Sequence, residues 1–163
     1  MKYELTDETI DVSGTTLHRI KALKDFGNVK KGELGGYVES EYNLSQIGNC
    51  WVYGNARVCG DAELCGNAKV YGNAWVYGNA ELCGNARVYG NADYITIKGL
   101  GSRYRDTTIF KTRNEDVVVR CGCFYGTLTE FVNEVGITHG DSKYAKEYLA
   151  LVELAKIHFG IEK

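Results

Sequence analysis

The chain has 163 residues, a mass of 18.1 kDa, a formal net charge of −2 and 44 % hydrophobic residues. That balance excludes a general nucleic-acid coat, and no apolar run reaches membrane-spanning length. The opening MKYELTDETI does not read as a signal peptide, so the six cysteines read as reduced thiols of a cytoplasmic protein. Twenty glycines and no proline point to one turn type used repeatedly.

In chain order, residues 9–22 form two alternating runs around Ser13-Gly14 and predict a hairpin. Residues 26–50 read as a degenerate stretch, with Val29, Leu34, Val38 and Leu44 inward and Gly35-Gly36 at a corner. Leu44 and Val52 are eight residues apart, which predicts a bulge near Gln46. From Trp51 the chain repeats every six residues as WVYGNA RVCGDA ELCGNA KVYGNA WVYGNA ELCGNA RVYGNA. Within each unit, alanine and the aliphatic residue two places on share one strand face. The Gly-Asn or Gly-Asp pair supplies a corner, because both residue types tolerate positive φ.

A second period sets the architecture. Tyr53, Tyr71 and Tyr89 lie 18 apart, as do Leu64 and Leu82, and Cys65 and Cys83. Three hexads therefore make one coil, and like faces stack about 4.8 Å apart in a three-sided parallel β-helix. After Ala92 the repeat stops, and YITIK, RDTTIFK and VVVRC predict strands. A helix over 128–135 follows, with a Thr127/Glu130 capping box and Gly136 as its stop. A second helix starts at Asp141 or Ser142 and ends at Gly160, with Tyr148, Val152, Ala155 and Phe159 as its apolar stripe.

The hexads resemble the hexapeptide-repeat left-handed β-helix family, and the left hand is implied by that resemblance. The GNARVY-type unit is similar to small hexapeptide-repeat proteins of phages and prophages. LGGYVESEYNLSQIGNCWVYGNA, GSRYRDTTIF, GCFYGTLTEF and HGDSKYAKEYLALVELAKIHF extend that likeness over most of the chain. The expected fold is all-β dominated: a cap over 1–25, the β-helix over 26–93 with regular hexads at 51–92, and an α+β unit over 94–163. The resemblance also implies a trimer.

The side chains expected to face outward form three sets. Trp51, Tyr53, Lys69, Tyr71, Arg87 and Tyr89 fall on one face, and Arg57, Cys59, Trp75 and Tyr77 on the next. Glu63, Cys65, Glu81 and Cys83 fall on the third. Rings beside cations suit either an oligomer interface or a ligand cleft between neighbouring chains, where rings stack on bases and cations hold phosphate. Tyr53, Arg57, Lys69, Tyr71, Trp75, Tyr77, Arg87 and Tyr89 are the candidate ligand-binding residues. Residues 94–120 carry six cations against three acids, and Arg103, Arg105 and Arg113 mark a candidate second basic site.

None of His18, His139 and His158 lies in a hexad, whereas hexapeptide acyltransferases resemble one another in placing a general-base histidine on a coil or its loop. Cys121-Gly122-Cys123 lacks zinc-ligand spacing, so no metal or cofactor is expected. The leading expectation is a non-catalytic phage-type protein in the host cytoplasm that antagonises host defence by sequestering a nucleotide-like signal. The alternatives are an inhibitor docking on a host defence protein of CRISPR or restriction type, and a hexapeptide-repeat acyltransferase using acyl-CoA.

Overall fold

A computed structural model describes residues 1–161. The chain opens with an antiparallel hairpin, β1 (Tyr3–Val12) and β2 (Thr15–Ala22), turned at Ser13-Gly14 as the sequence predicts. β3 (Leu34–Val38) follows. Seven two-residue strands then occupy the hexads: β4 (Trp51–Val52), β5 (Arg57–Val58), β6 (Glu63–Leu64), β7 (Lys69–Val70), β8 (Trp75–Val76), β9 (Glu81–Leu82) and β10 (Arg87–Val88).

These strands pair in parallel, and among themselves only with the strand three hexads away. Trp51 aligns with Lys69 and Lys69 with Arg87, Arg57 with Trp75, and Glu63 with Glu81. Three parallel stacks result, β4-β7-β10, β3-β5-β8 and β6-β9, so the 18-residue period is the coil. Amide to carbonyl bonds of 2.8–3.1 Å tie coil to coil, as from Trp51 to Ala68 and from Tyr71 to Val88. The hexad alanines from Ala56 to Ala86 and the aliphatic residues from Val52 to Val88 are at most 1 % exposed. The interior is therefore filled by small and branched side chains in alternation. The corner glycines from Gly54 to Gly84 all have φ between +58° and +71°, the conformation that glycine adopts without steric cost.

The first coil departs from the period. Val38 aligns with Val58 and Leu44 with Leu64, offsets of 20 residues. The two extra residues fall in the expected bulge, and Gln46 there receives the start of β1. Its Oε1 accepts from the amides of Lys2 (2.8 Å) and Tyr3 (3.2 Å), and its Nε2 donates to the Tyr3 carbonyl (3.2 Å). Gly35 and Gly36 lie inside β3 rather than at a corner. A Cβ on either would collide with the Val52 or Ala56 carbonyl of the next coil, so close backbone approach explains both. Leu34, expected inside, is 53 % exposed.

Trp51, expected on an outer face, is fully buried. Tyr3 and Phe26 cover it edge-on at centroid distances of 6.2 and 5.2 Å. The N-terminal segment thus closes one side of the first coil. β2 pairs antiparallel with β3 and makes a five-stranded sheet, β1-β2-β3-β5-β8, that removes an open edge. The hairpin also packs on that face, where Leu17 is buried with Tyr37 and Cys59, and Ile10, Val12 and Trp75 lie at the rim.

After the hexads, β11 (Tyr94–Leu100), β12 (Arg105–Lys111), β13 (Val117–Cys121) and β14 (Phe124–Thr127) form an antiparallel meander, of which β14 was not predicted. The first helix, α1 (Leu128–His139), has the expected capping box, with Thr127 Oγ1 accepting from Glu130 N at 3.1 Å and Glu130 Oε1 accepting from Thr127 N at 2.8 Å. It continues through Gly136 to a cap at Gly140, a correction to the predicted stop. Interior glycine costs only about 1 kcal/mol, and packing of Phe131 and Val135 outweighs it. α2 (Lys143–Phe159) runs from Ser142 to Gly160 as predicted. Ile109, Val119, Phe131, Tyr148 and Val152 belong to the core shared by meander and helices. The architecture is strand-dominated, with parallel sheets and a small C-terminal helical unit. No helix of the described residues is long and apolar enough to cross a membrane.

Candidate functional site

The tyrosine face is largely self-contained. Tyr53, Tyr71 and Tyr89 stack on one another at 4.7 Å, within 8° of parallel, so only the last ring, 63 % exposed, presents a broad open surface. Lys69 and Arg87 are buried at its side. Lys69 Nζ donates to the Asn49 carbonyl at 3.1 Å, and Arg87 donates to the carbonyls of Asn67 (2.6 Å) and Ala86 (2.9 Å). Burial, and then Arg87 one coil along, lowers the Lys69 pKa. These two cations are therefore held by backbone in a single chain, where the sequence alone suggested outward, ligand-facing heads.

The second face presents Arg57 and Trp75 half-buried and Tyr77 exposed, with Trp75 and Tyr77 rings 5.0 Å apart. The third face joins Cys65 and Cys83 of successive coils, with Cys65 exposed and Cys83 buried. The Cys83 thiol beside it stabilises the Cys65 thiolate and, with a smaller contribution from Arg120, draws its pKa down to about 7. The Cys83 pKa moves the other way, because its own S–H is held as the donor to Cys65 and is buried. Cys65 is expected to alkylate with iodoacetamide half-maximally near pH 7, well before Cys83. Peptide mapping after labelling across pH 5.5–9 checks this, and Cys83→Ala, which removes the donor, should return the Cys65 profile toward the usual thiol range of about 8.5.

A cleft of 320 Å³ opens in the C-terminal unit. Its origin is the meander: Thr107 pairs with Cys121, so the β11–β12 and β13–β14 turns lie at the same end of the sheet. The first turn brings Arg103 and Arg105, the second brings Cys121 and Cys123, and α1 contributes Glu134 and His139. Arg113 falls in the β12–β13 turn, about 20 Å away at the opposite end. Gly122 carries φ +58°, and a Cβ there would strike the Arg105 guanidinium, which lies across it between the two cysteines. Among the described residues, neither Arg103 nor Arg105 forms an ion pair. Cys121 is fixed by hydroxyls, receiving the Thr107 Oγ1 bond at 3.3 Å and donating to Tyr148 Oη at 3.6 Å. Burial, and then that Cys121 contact, raises the Tyr148 pKa, so the phenol stays protonated.

His139 lies beyond the helix stop expected at Gly136. It is instead the last residue of α1, half-buried, with its ring 5.9 Å from Tyr144 and 5.7 Å from Tyr148. His158 bonds the Ala92 carbonyl at 2.9 Å and His18 the Thr6 carbonyl at 3.1 Å, and neither lines the cleft. Arg103, Arg105 and His139 thus combine two free guanidinium groups with an imidazole on one concave surface. That set suits an anionic substrate whose reaction needs a proton acceptor. Sequence reasoning treated these residues separately. The pairing of two turns through one meander end was the signal that joins them.

No family model matches the chain. It is similar to the uncharacterized acetyltransferase YdcK of Escherichia coli, at 38 % identity over 60 residues, which is 32 % of this chain and 18 % of that protein. The chain thus spans less than a fifth of the length of the curated relative that it matches. This similarity overturns the expectation of a protein without enzymatic activity. That expectation rested on the lack of histidine in the hexads, whereas α1 brings His139, outside them, to the cleft. The similarity lends nothing to antagonism of a host defence.

Proposed function

We propose that the chain is a left-handed β-helix protein of hexapeptide-repeat type that transfers an acyl group from acyl-CoA, with the C-terminal cleft as its reaction site. The observation that carries this reading is the convergence of Arg103, Arg105 and His139 on one cleft, in a chain that is similar over 60 residues to an acetyltransferase. Arg105, laid over Gly122, and Arg103 meet the phosphates of the donor. His139 takes the proton from the acceptor hydroxyl or amine as that atom attacks the thioester carbonyl. The carbon–sulfur bond breaks, and the same imidazole returns the proton to the departing thiolate. Acyl group, thiol and proton are all accounted for without a further reactant. A trimer formed through the exposed rings of Tyr77 and Tyr89 belongs to the same proposal.

The test is release of free thiol from acetyl-CoA against a panel of amine and hydroxyl acceptors, with light scattering on the same sample to read the trimer. Turnover with at least one acceptor is expected. A charge-assisted bond contributes about 1.5–3 kcal/mol, so Arg105→Ala should raise the KM for acetyl-CoA roughly 10- to 150-fold. No thiol release with any acceptor would defeat the reading.

A further inference from the structure

A second concave surface lies on the coils, separate from the C-terminal cleft. The hairpin leans over the β3-β5-β8 face and leaves a groove of 430 Å³, within the usual span for small-molecule sites. Ile10 of β1 forms part of its wall. The rest is coil: Tyr37, Arg57 and Trp75 from stacked strands, and Asn55, Asn73 and Asn91 from stacked corners 18 residues apart.

The polar groups here are arranged as donors. Asn91 Oδ1 accepts from Trp75 N at 2.7 Å, and Asn55 Oδ1 accepts from Arg19 at 3.3 Å. Each amide is thereby oriented with its NH₂ group left over. Asn73 makes no side-chain hydrogen bond among the described residues, and Arg57 makes neither a side-chain hydrogen bond nor an ion pair there. The nearby acid is already engaged: Glu8 accepts from Arg19 at 2.8 Å and from Tyr37 Oη at 3.1 Å. Trp75 is held by its Nε1 bond to Cys59 Sγ at 3.3 Å, which fixes an indole along the groove.

We infer that this groove binds a mononucleotide, with the base against Trp75 and the phosphate on Arg57 and the corner amides. A flat apolar ring next to an uncompensated guanidinium and spare amide donors selects a ligand that is planar at one end and anionic at the other. An aliphatic anion would leave Trp75 unused, and an uncharged ring would leave Arg57 unpaired. The groove lies within one chain. Of the eight residues that the sequence offered for a cleft between neighbouring chains, only Arg57 and Trp75 line it.

The two tryptophans make the test direct, since Trp51 is buried under Tyr3 and Phe26 and only Trp75 lines the groove. AMP should quench tryptophan emission saturably, and adenosine or inorganic phosphate should bind at least about tenfold more weakly. Arg57→Ala and Arg57→Gln should each raise the AMP Kd at least about tenfold while leaving the circular dichroism unchanged. Trp75→Phe should remove the optical signal, with calorimetry then reporting weaker binding. His139→Ala should leave AMP binding intact, which separates this site from the acyl-transfer reading. No saturable signal up to millimolar AMP, or unchanged affinity in both Arg57 variants, would overturn the inference. Competition between AMP and acetyl-CoA that persists unchanged in both Arg57 variants would also overturn it, because AMP would then occupy the C-terminal cleft.

Discussion

Val70→Asp is expected to abolish cooperative folding. Val70 is fully buried in β7, the middle strand of the β4-β7-β10 stack, aligned with Val52 on one side and Val88 on the other. The surrounding coil interior is alanine, valine and leucine, and among the described residues no cation lies in that apolar file to pair with a carboxylate. An unpaired buried charge costs several kcal/mol, against a total stability on the order of 5–15 kcal/mol. Each coil rests on its neighbours, so the damage at one coil spreads along the stack. Val70→Ala separates charge from volume. It removes two methyl groups and should cost about 2 kcal/mol, or a Tm decrease of about 4–8 °C. Thermal melts followed by circular dichroism measure both. A cooperative melt of Val70→Asp within a few degrees of the parent protein would show that this position does not face the coil interior.

The coils were legible because one short period fixes nearly everything about them. Glycine at every corner, alanine and an aliphatic residue on the inner face, and an 18-residue recurrence leave one register, and Leu64 against Leu82 is found in it. The degenerate first coil was only partly legible. Val29, Val38 and Leu44 are buried as expected, but Leu34 is not, because the offset there is 20 residues and the chain enters β3 under a hairpin. Gly35-Gly36 has the composition of a corner and the place of a strand. What demands glycine is the carbonyl of the next coil, and no local pattern reports a neighbour 16 to 20 residues away.

Side-chain direction at the coil surface was the harder problem. Alternation places Trp51, Lys69 and Arg87 outward, yet all three are buried. Trp51 is covered by residues from the hairpin and the loop after it, which the repeat says nothing about. Lys69 and Arg87 have long apolar stems that can be buried while their heads return to carbonyls of the preceding coil. The C-terminal cleft was illegible for a different reason. Arg103, Cys123 and His139 are dispersed in sequence and meet only because β14 closes the meander and α1 runs three residues past Gly136.

On the proposed acyl-transfer reading, His139→Ala is expected to lower kcat by about 10²–10⁴, the usual contribution of a positioned general base. The KM for acetyl-CoA should change little, because phosphate recognition is assigned to Arg103 and Arg105. That split is the reverse of the one expected for Arg105→Ala. Truncation at the end of α1 leaves the capping box at Thr127 and the buried Phe131 and Val135 untouched, so the variant should fold. His158→Ala supplies the control. Its ring contacts the Ala92 carbonyl and lies outside the cleft, so activity should persist. Added imidazole should restore part of the activity of His139→Ala, a response that a purely structural role would not give. Equal loss in both histidine variants, or full activity without His139, would place the proton acceptor elsewhere and leave the cleft as a binding surface for anions.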